Sequence, residues 1–127
     1  MRYAFRAFEE SLVDERDLAE VAARALLGAG DGVLELTGPQ SLSHGEQVAI
    51  LGAVLGRPLR FEEVPAEAAA RAMAAGGLPG PFAEALMARY RRHLDRPQHP
   101  PTDGVAAVLG RPARTFAEYA ADHRAAY

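Results

Sequence analysis

The sequence contains no cysteine, lysine, asparagine or tryptophan. Without cysteine there is no disulfide, no thiolate metal ligand and no sulfur nucleophile. Without lysine there is no amine to form a Schiff base or to act as an ammonium proton relay. Long apolar runs are missing too: none approaches the ~18 residues of a membrane span. The opening Met1-Arg2-Tyr3-Ala4-Phe5-Arg6 has no apolar segment of the signal-peptide type. A cytoplasmic location without membrane contact is the expectation. The 14 basic residues, all arginine, are outnumbered by 17 acidic ones. The net charge is -3, which offers no basic footprint for a nucleic acid.

What is present suits one folded domain. A chain of 127 residues with 49% hydrophobic residues is large enough for a real core. Much of that fraction is alanine, which packs closely but buries little area per residue. The pattern predicts a helix-rich α/β (α+β) single domain over residues 1–127 with a few short strands. Residues 1–11 form a divergent segment, which reads equally as a strand (Tyr3, Phe5, Ala7) or as a helix face (Phe5, Phe8, Leu12).

The acidic run Asp14-Glu15-Arg16-Asp17 suits a helix start, where free N–H groups favour negative charge. Leu18, Val21, Ala22, Ala25 and Leu26 continue it as an apolar stripe, and Gly28 and Gly30 stop it. Residues 33–37 read as a strand closed by Gly38-Pro39, with Ser11 to Val13 as the end of another. Ser43-His44-Gly45-Glu46 has capping-box spacing and opens a helix that Gly56 and Pro58 end. Residues 59–64 alternate as a half-buried strand would. Pro65 opens an Ala-rich helix that ends near Gly76-Gly77, and a longer helix runs from about Phe82 to Leu94. After a Pro-rich loop over 96–101, Thr102 caps a short helix ending at Gly110. Thr115-Phe116-Ala117-Glu118 is a second capping box before the last helix. Leu-Gly-Arg-Pro occurs twice, at 55–58 and 109–112, as the same stop signal: apolar residue, C-cap glycine, then proline.

Few residues point to chemistry. The four histidines, His44, His93, His99 and His123, have no helical metal-site spacing, so no metal is expected. His44, in the first turn of a helix, is an acid/base candidate, with a solvated surface residue as the ordinary reading. Glu46, Tyr90 and His93 are weaker catalytic candidates. Phe82, Met87 and Tyr90 could line an apolar pocket, although helical spacing is the usual mark of core. Glu62 and Glu63 are adjacent in a strand and point to opposite faces, so they cannot share one acid/base site.

One ordered combination is specific. Residues 12–19 (Leu-Val-Asp-Glu-Arg-Asp-Leu-Ala), Leu34-Glu35-Leu36-Thr37-Gly38-Pro39, Leu42-Ser43, Leu55-Gly56-Arg57-Pro58, Leu78-Pro79 and Gly110-Arg111-Pro112 through Tyr119 follow in turn. The combination resembles the C-terminal, substrate-side part of NmrA-like NAD(P)-binding proteins, in the atypical short-chain dehydrogenase/reductase group. The resemblance covers residues 12–127. It implies that in such proteins this region follows a Rossmann domain, adds the last strands of its sheet and places a helical lobe over the substrate cleft. Thr37, Gly38 and Pro39 then edge the cleft and, with Phe82, Met87 and Tyr90, are the candidate substrate-binding residues.

The glycine-rich dinucleotide turn, G-x-G-x-x-G between strand and helix, does not occur. Gly28-Ala29-Gly30-Asp31-Gly32 follows a helix and precedes a strand. The Tyr-x-x-x-Lys pair of short-chain dehydrogenases cannot be built without lysine. No cofactor is therefore expected on this chain. The first functional expectation is a stand-alone small-molecule-binding domain, binding a small apolar organic ligand and catalysing a cofactor-independent, non-redox step (cyclisation, isomerisation or dehydration). Alternatives are a non-catalytic binding or interaction module, serving a separate Rossmann partner chain, or a truncated fragment of an NAD(P)-dependent oxidoreductase. The residues do not decide whether the domain is an enzyme. An unpaired strand edge and an apolar N-terminal stretch also predict a homodimer with Tyr3 to Phe8 at its interface.

The helix boundaries are testable. Thr115→Ala should cost about 1 kcal/mol, lowering the melting temperature by roughly 3–5 °C for a domain of this size. Gly56→Val should lower it further, because a β-branched residue at a left-handed C-cap is strained. Unchanged melting in both variants would show that the boundaries are misplaced.

Overall fold

The computed structural model describes residues 1–28, 32–94 and 100–127. Ten short elements follow in order: β1 (Arg2–Tyr3), β2 (Glu9–Glu10), α1 (Glu15–Leu26), β3 (Leu42–Ser43), α2 (His44–Leu55), β4 (Glu62–Glu63), α3 (Ala66–Ala75), α4 (Gly80–His93), α5 (Gly104–Leu109) and α6 (Phe116–Asp122). A single 3₁₀ turn, Arg124–Ala126, follows α6. β1 pairs in parallel with β4, and β2 pairs antiparallel with β3. The helices pack as α3 on α4, α2 on α6 and α1 on α5. The helix-rich α/β expectation holds.

Local chemistry explains most boundaries. Asp14 caps α1 by accepting from the Arg16 N–H at 2.8 Å. Both predicted capping boxes form, Ser43 with Glu46 and Thr115 with Glu118. The two Leu-Gly-Arg-Pro segments end helices in the same way: Gly56 and Gly110 are left-handed C-caps at φ 67° and 70°. Gly30, the second predicted stop of α1, and His99 lie outside the described residues.

Other expectations are corrected. Residues 33–37 form no strand and pair with none among the described residues. A strand needs a partner backbone, and here Thr102 takes part of that role. Its N–H donates to Thr37 Oγ1 at 2.8 Å and its hydroxyl to the Glu35 carbonyl at 2.9 Å. Thr102 is thus occupied, and Asp103 rather than Thr102 is the N-cap of α5. The strand expected over 59–64 shortens to Glu62–Glu63, where β1 reaches it. The strand expected to end at 11–13 instead lies at Glu9–Glu10.

The N-terminal segment does not wait for a second copy. Ala4 and Phe8 are buried in the main core with Ala69, Ala83, Met87 and Tyr90. The stretch folds back over its own chain, so Ala4 and Phe8 need no second copy to cover them. The turn that brings it back sets Phe5 at φ 57°, a left-handed conformation that costs a non-glycine residue about 1 kcal/mol. Its return is backbone hydrogen bonding. The Phe8 carbonyl accepts from the His44 N–H and the Arg6 carbonyl from the Gly45 N–H, each at 3.1 Å. The turn thereby satisfies two of the free donors at the start of α2.

Asp17 is the least expected core residue. The sequence offers it as a helix-dipole acid, yet it is fully buried. The Arg111 guanidinium reaches it at 2.8 Å and the Arg114 backbone N–H at 2.7 Å, and the Arg114 guanidinium closes on it as well. Glu20 on the next turn binds both arginines from outside. Burial alone would raise the Asp17 carboxyl. The Arg114 N–H and the Arg111 guanidinium outweigh that and hold it below the ordinary carboxylate range.

A carboxyl whose folded value is lowered contributes stability above its unfolded value, near pH ~4, and loses it as pH falls through the folded value. Asp17→Ala should cost about 1–3 kcal/mol, because it removes the buried acceptor of the Arg114 N–H and of both guanidiniums, which Glu20 still pairs from outside. Asp17→Asn should flatten the acid limb of a stability–pH curve below pH ~4. Urea melts from pH 6 to pH 2.5 measure this, and identical acid limbs in wild type and Asp17→Asn would refute the clamp.

Candidate active site

Four segments far apart in sequence bring their polar side chains to one cavity of about 290 Å³. β1 supplies Tyr3, β2 supplies Glu10, the first two turns of α2 supply His44 and Gln47, and α4 supplies Tyr90. Leu51 and Phe61 are among its apolar lining residues. The volume sits at the lower end for small-molecule sites and suits a ligand of one or two rings.

His44 is the centre of this arrangement and is 7% exposed. Its ring packs edge-on against Tyr3 and Tyr90, with centroids at 5.1 and 5.3 Å, and tilted against Phe8 at 5.6 Å. Nδ1 lies 3.0 Å from the Phe5 carbonyl and 3.3 Å from that of Ala4. Nε2 faces Glu10 Oε2 at 3.7 Å. Arg89 approaches the other Glu10 oxygen at 3.4 Å. The adjacent imidazole, with help from Arg89 and against the effect of burial, holds the Glu10 carboxyl below its usual range. Burial pushes the Tyr90 hydroxyl well up, reinforced by the Glu10 charge, and raises that of Tyr3. The site therefore holds a carboxylate and two firmly protonated phenols around one imidazole.

The structure separates the sequence candidates. His44 and Tyr90 meet. Glu46 does not join them: it is exposed, and its Oε2 accepts from the Ser43 N–H and hydroxyl. His93 lies one helical turn beyond Arg89, with Nδ1 2.7 Å from the Arg89 carbonyl. Met87 is core, and Phe82 is 59% exposed at the start of α4. Residues 37–39 are not among the cavity's lining residues, and Gly38 packs on the backbone of Ser11 and Leu12. The Gly38 N–H donates to the Ser11 carbonyl at 3.1 Å, and a Cβ at Gly38 would run into the Leu12 carbonyl oxygen. Leu12 in turn lines the cavity, so this loop supports the cavity wall.

Sequence reasoning missed Tyr3 and Glu10. The available signals were the Tyr3-Phe5-Ala7 alternation and a strand that places Glu10 inward and Glu9 outward. Among the described residues no group of three His, Asp or Glu side chains could hold a metal ion. No described helix is long and apolar enough to cross a membrane.

The donors for a dinucleotide are also not here. A pyrophosphate needs free N–H groups at a glycine-rich strand–helix turn. At the β3–α2 junction the N–H groups of His44, Gly45 and Glu46 already go to Phe8, Arg6 and Ser43. Pro65 and Pro79 occupy the N-cap positions of α3 and α4. These three helix starts offer a pyrophosphate no set of free N–H groups. Titrating the chain calorimetrically with NADPH should show no low-micromolar binding; a micromolar isotherm would contradict the reading.

Comparison with known proteins places this geometry in context. No protein-family model matches the chain. It is 42% identical over 121 residues to the NAD(P)H azoreductase of Xenophilus azovorans, covering 92% of this chain and 42% of the relative. It is 41% identical over 117 residues to the (4-alkanoyl-5-oxo-2,5-dihydrofuran-3-yl)methyl phosphate reductase of Streptomyces griseus, covering 91% of this chain and 41% of the relative. The structure superposes on the NADPH-dependent quinone oxidoreductase of Escherichia coli with a TM-score of 0.79 at 22% identity, over 95% of this chain and 45% of that one. The chain thus spans about two-fifths of the length of these curated relatives. These relatives overturn the expectation of a stand-alone, non-redox domain, since both are named as reductases. The chain has the fold of the C-terminal portion of NmrA-like, NAD(P)-binding reductases, as its ordered motifs indicated.

Proposed function

We propose that the chain is the substrate-side part of an NAD(P)H-dependent reductase of conjugated organic acceptors. The dinucleotide would be held by a nucleotide-binding portion in the same polypeptide or in a separate chain. The observation that carries this is the 41–42% identity, along nearly the whole of this chain, to two proteins named as reductases. The surface supports it. Residues 33–36 have strand composition without a strand partner among the described residues, and Val33 is 99% exposed. Leu26 and Leu27, at the end of α1, are 88% and 85% exposed. An exposed, unpaired segment of strand composition is open to pairing with another strand, and a nucleotide-binding sheet is the occupant this reading supplies. The cavity at Tyr3, His44 and Tyr90 then receives the acceptor.

The test is reconstitution. The chain is mixed with the nucleotide-binding portion of the Xenophilus azovorans relative, and NADPH oxidation is followed with an azo dye or a quinone. Turnover is expected only when both parts are present. No turnover with a folded, associated pair would refute the reading.

A further inference from the structure

Helix α1 is amphipathic, and it is mounted inside out. Its charged side faces this chain. Asp17 is fully buried between Arg111 and Arg114, Glu20 pairs with both arginines, and Arg16 bonds to Asp14 and Asp122. At 3.6 residues per turn, Leu18, Ala22 and Leu26 form one row, with Ala19 beside it, away from that cluster. All four are exposed, Leu18 at 45%. Leu27, just past the end of the helix, is exposed as well. A surface helix ordinarily turns its apolar stripe to the core and its charges to water. Here the ion pairs draw the charges inward and leave the leucines to the water. One exposed leucine needs no explanation, but a row of apolar residues along one helix face marks an interaction surface.

We infer that the Leu18–Ala22–Leu26 row of α1 is an interface, and that its occupant is the nucleotide-binding portion. The occupant rests on the reductase reading; the exposed row does not. Two observations favour it over a second copy of this chain. The matched stretch is 42% of the azoreductase, so more than half of that protein lies outside the match. The second is the path of the chain around α1. The Gly38 N–H donates to the Ser11 carbonyl at 3.1 Å, which brings together the segments before and after this 12-residue helix. A helix whose flanking segments meet has the form of a crossover connection, and such a helix lies on the face of the sheet that its flanks enter. A sheet added along residues 33–36 is thus the neighbour that covers α1. Ala19 and Ala22 carry no atoms beyond Cβ, so an incoming element can lie close between the two leucines.

The experiment reads association, not turnover. The chain is titrated calorimetrically with the nucleotide-binding portion of the Xenophilus azovorans relative. The variant carries Leu18→Gln and Leu26→Gln together, which keeps good helix formers at both positions and changes no charge. Alone, it should melt within about 2 °C of wild type and bind the apolar dye ANS less than wild type does. It should associate roughly a hundredfold more weakly, because each leucine taken from water contributes about tenfold or more. If the double variant fails to fold, Leu26→Gln alone, at the last and most exposed position of the row, carries the test with about a tenfold loss. Equal association by variant and wild type would overturn the inference even with full turnover, and the reductase reading would survive. A wild-type chain at twice 13.6 kDa beside a monomeric variant would also overturn it, because a second copy would then cover the row. Leucine-dependent association without turnover would sink the reductase reading and leave the interface standing.

Discussion

Asp17 carries a carboxylate into the interior of a small, alanine-rich domain, and the fold is arranged so that this charge is never alone. Desolvating an unpaired carboxylate would cost more than a domain of this size can spare. Arg111 and Arg114 reach it from the segment between α5 and α6. Their grip ties the start of α1 to the C-terminal third of the chain. Thr115, next to Arg114, then caps α6, and α6 packs on α2. The first residue of α2 is His44. A chain of contacts thus runs from one buried ion pair to the imidazole in the cavity.

At that end the helix start serves two purposes. The free N–H groups of α2 hold the N-terminal turn through the Phe8 and Arg6 carbonyls, and the His44 ring holds the Phe5 carbonyl. The left-handed Phe5 is tolerated because several bonds fix its surroundings. The same bonds orient the ring and place Tyr3 against it. Positioning of the candidate site and closure of the core are one set of interactions, so the site is rigid on its own side. Residues 33–36, exposed and without a strand partner among the described residues, are where the proposed nucleotide-binding sheet would add.

Legibility in the sequence followed the range of the interactions. Both capping boxes, both Leu-Gly-Arg-Pro stops and the acidic start of α1 are signals within four residues, and all formed as read. The motif order pointed to the fold. Residues 33–37 have strand composition, but composition does not supply a neighbouring strand. Tyr3 and Glu10 meet His44 across 41 and 34 positions, and no local pattern announces that. Asp17 looked like its acidic neighbours because the arginines that claim it lie more than 90 residues away. The first functional reading went wrong at a different point. It took the stretch for a remodelled domain with non-redox chemistry, whereas the relatives it matches along nearly its whole length are named as reductases.

The central proposal is that a nucleotide-binding sheet adds along residues 33–36. Amide hydrogen exchange at these residues tests it most directly, on the chain alone and with the nucleotide-binding portion of a relative. The account predicts fast exchange alone, at a mass near 13.6 kDa, and strong protection in the complex. Protection of these amides in the chain by itself, at twice that mass, would show that a second copy covers the edge and would contradict the account.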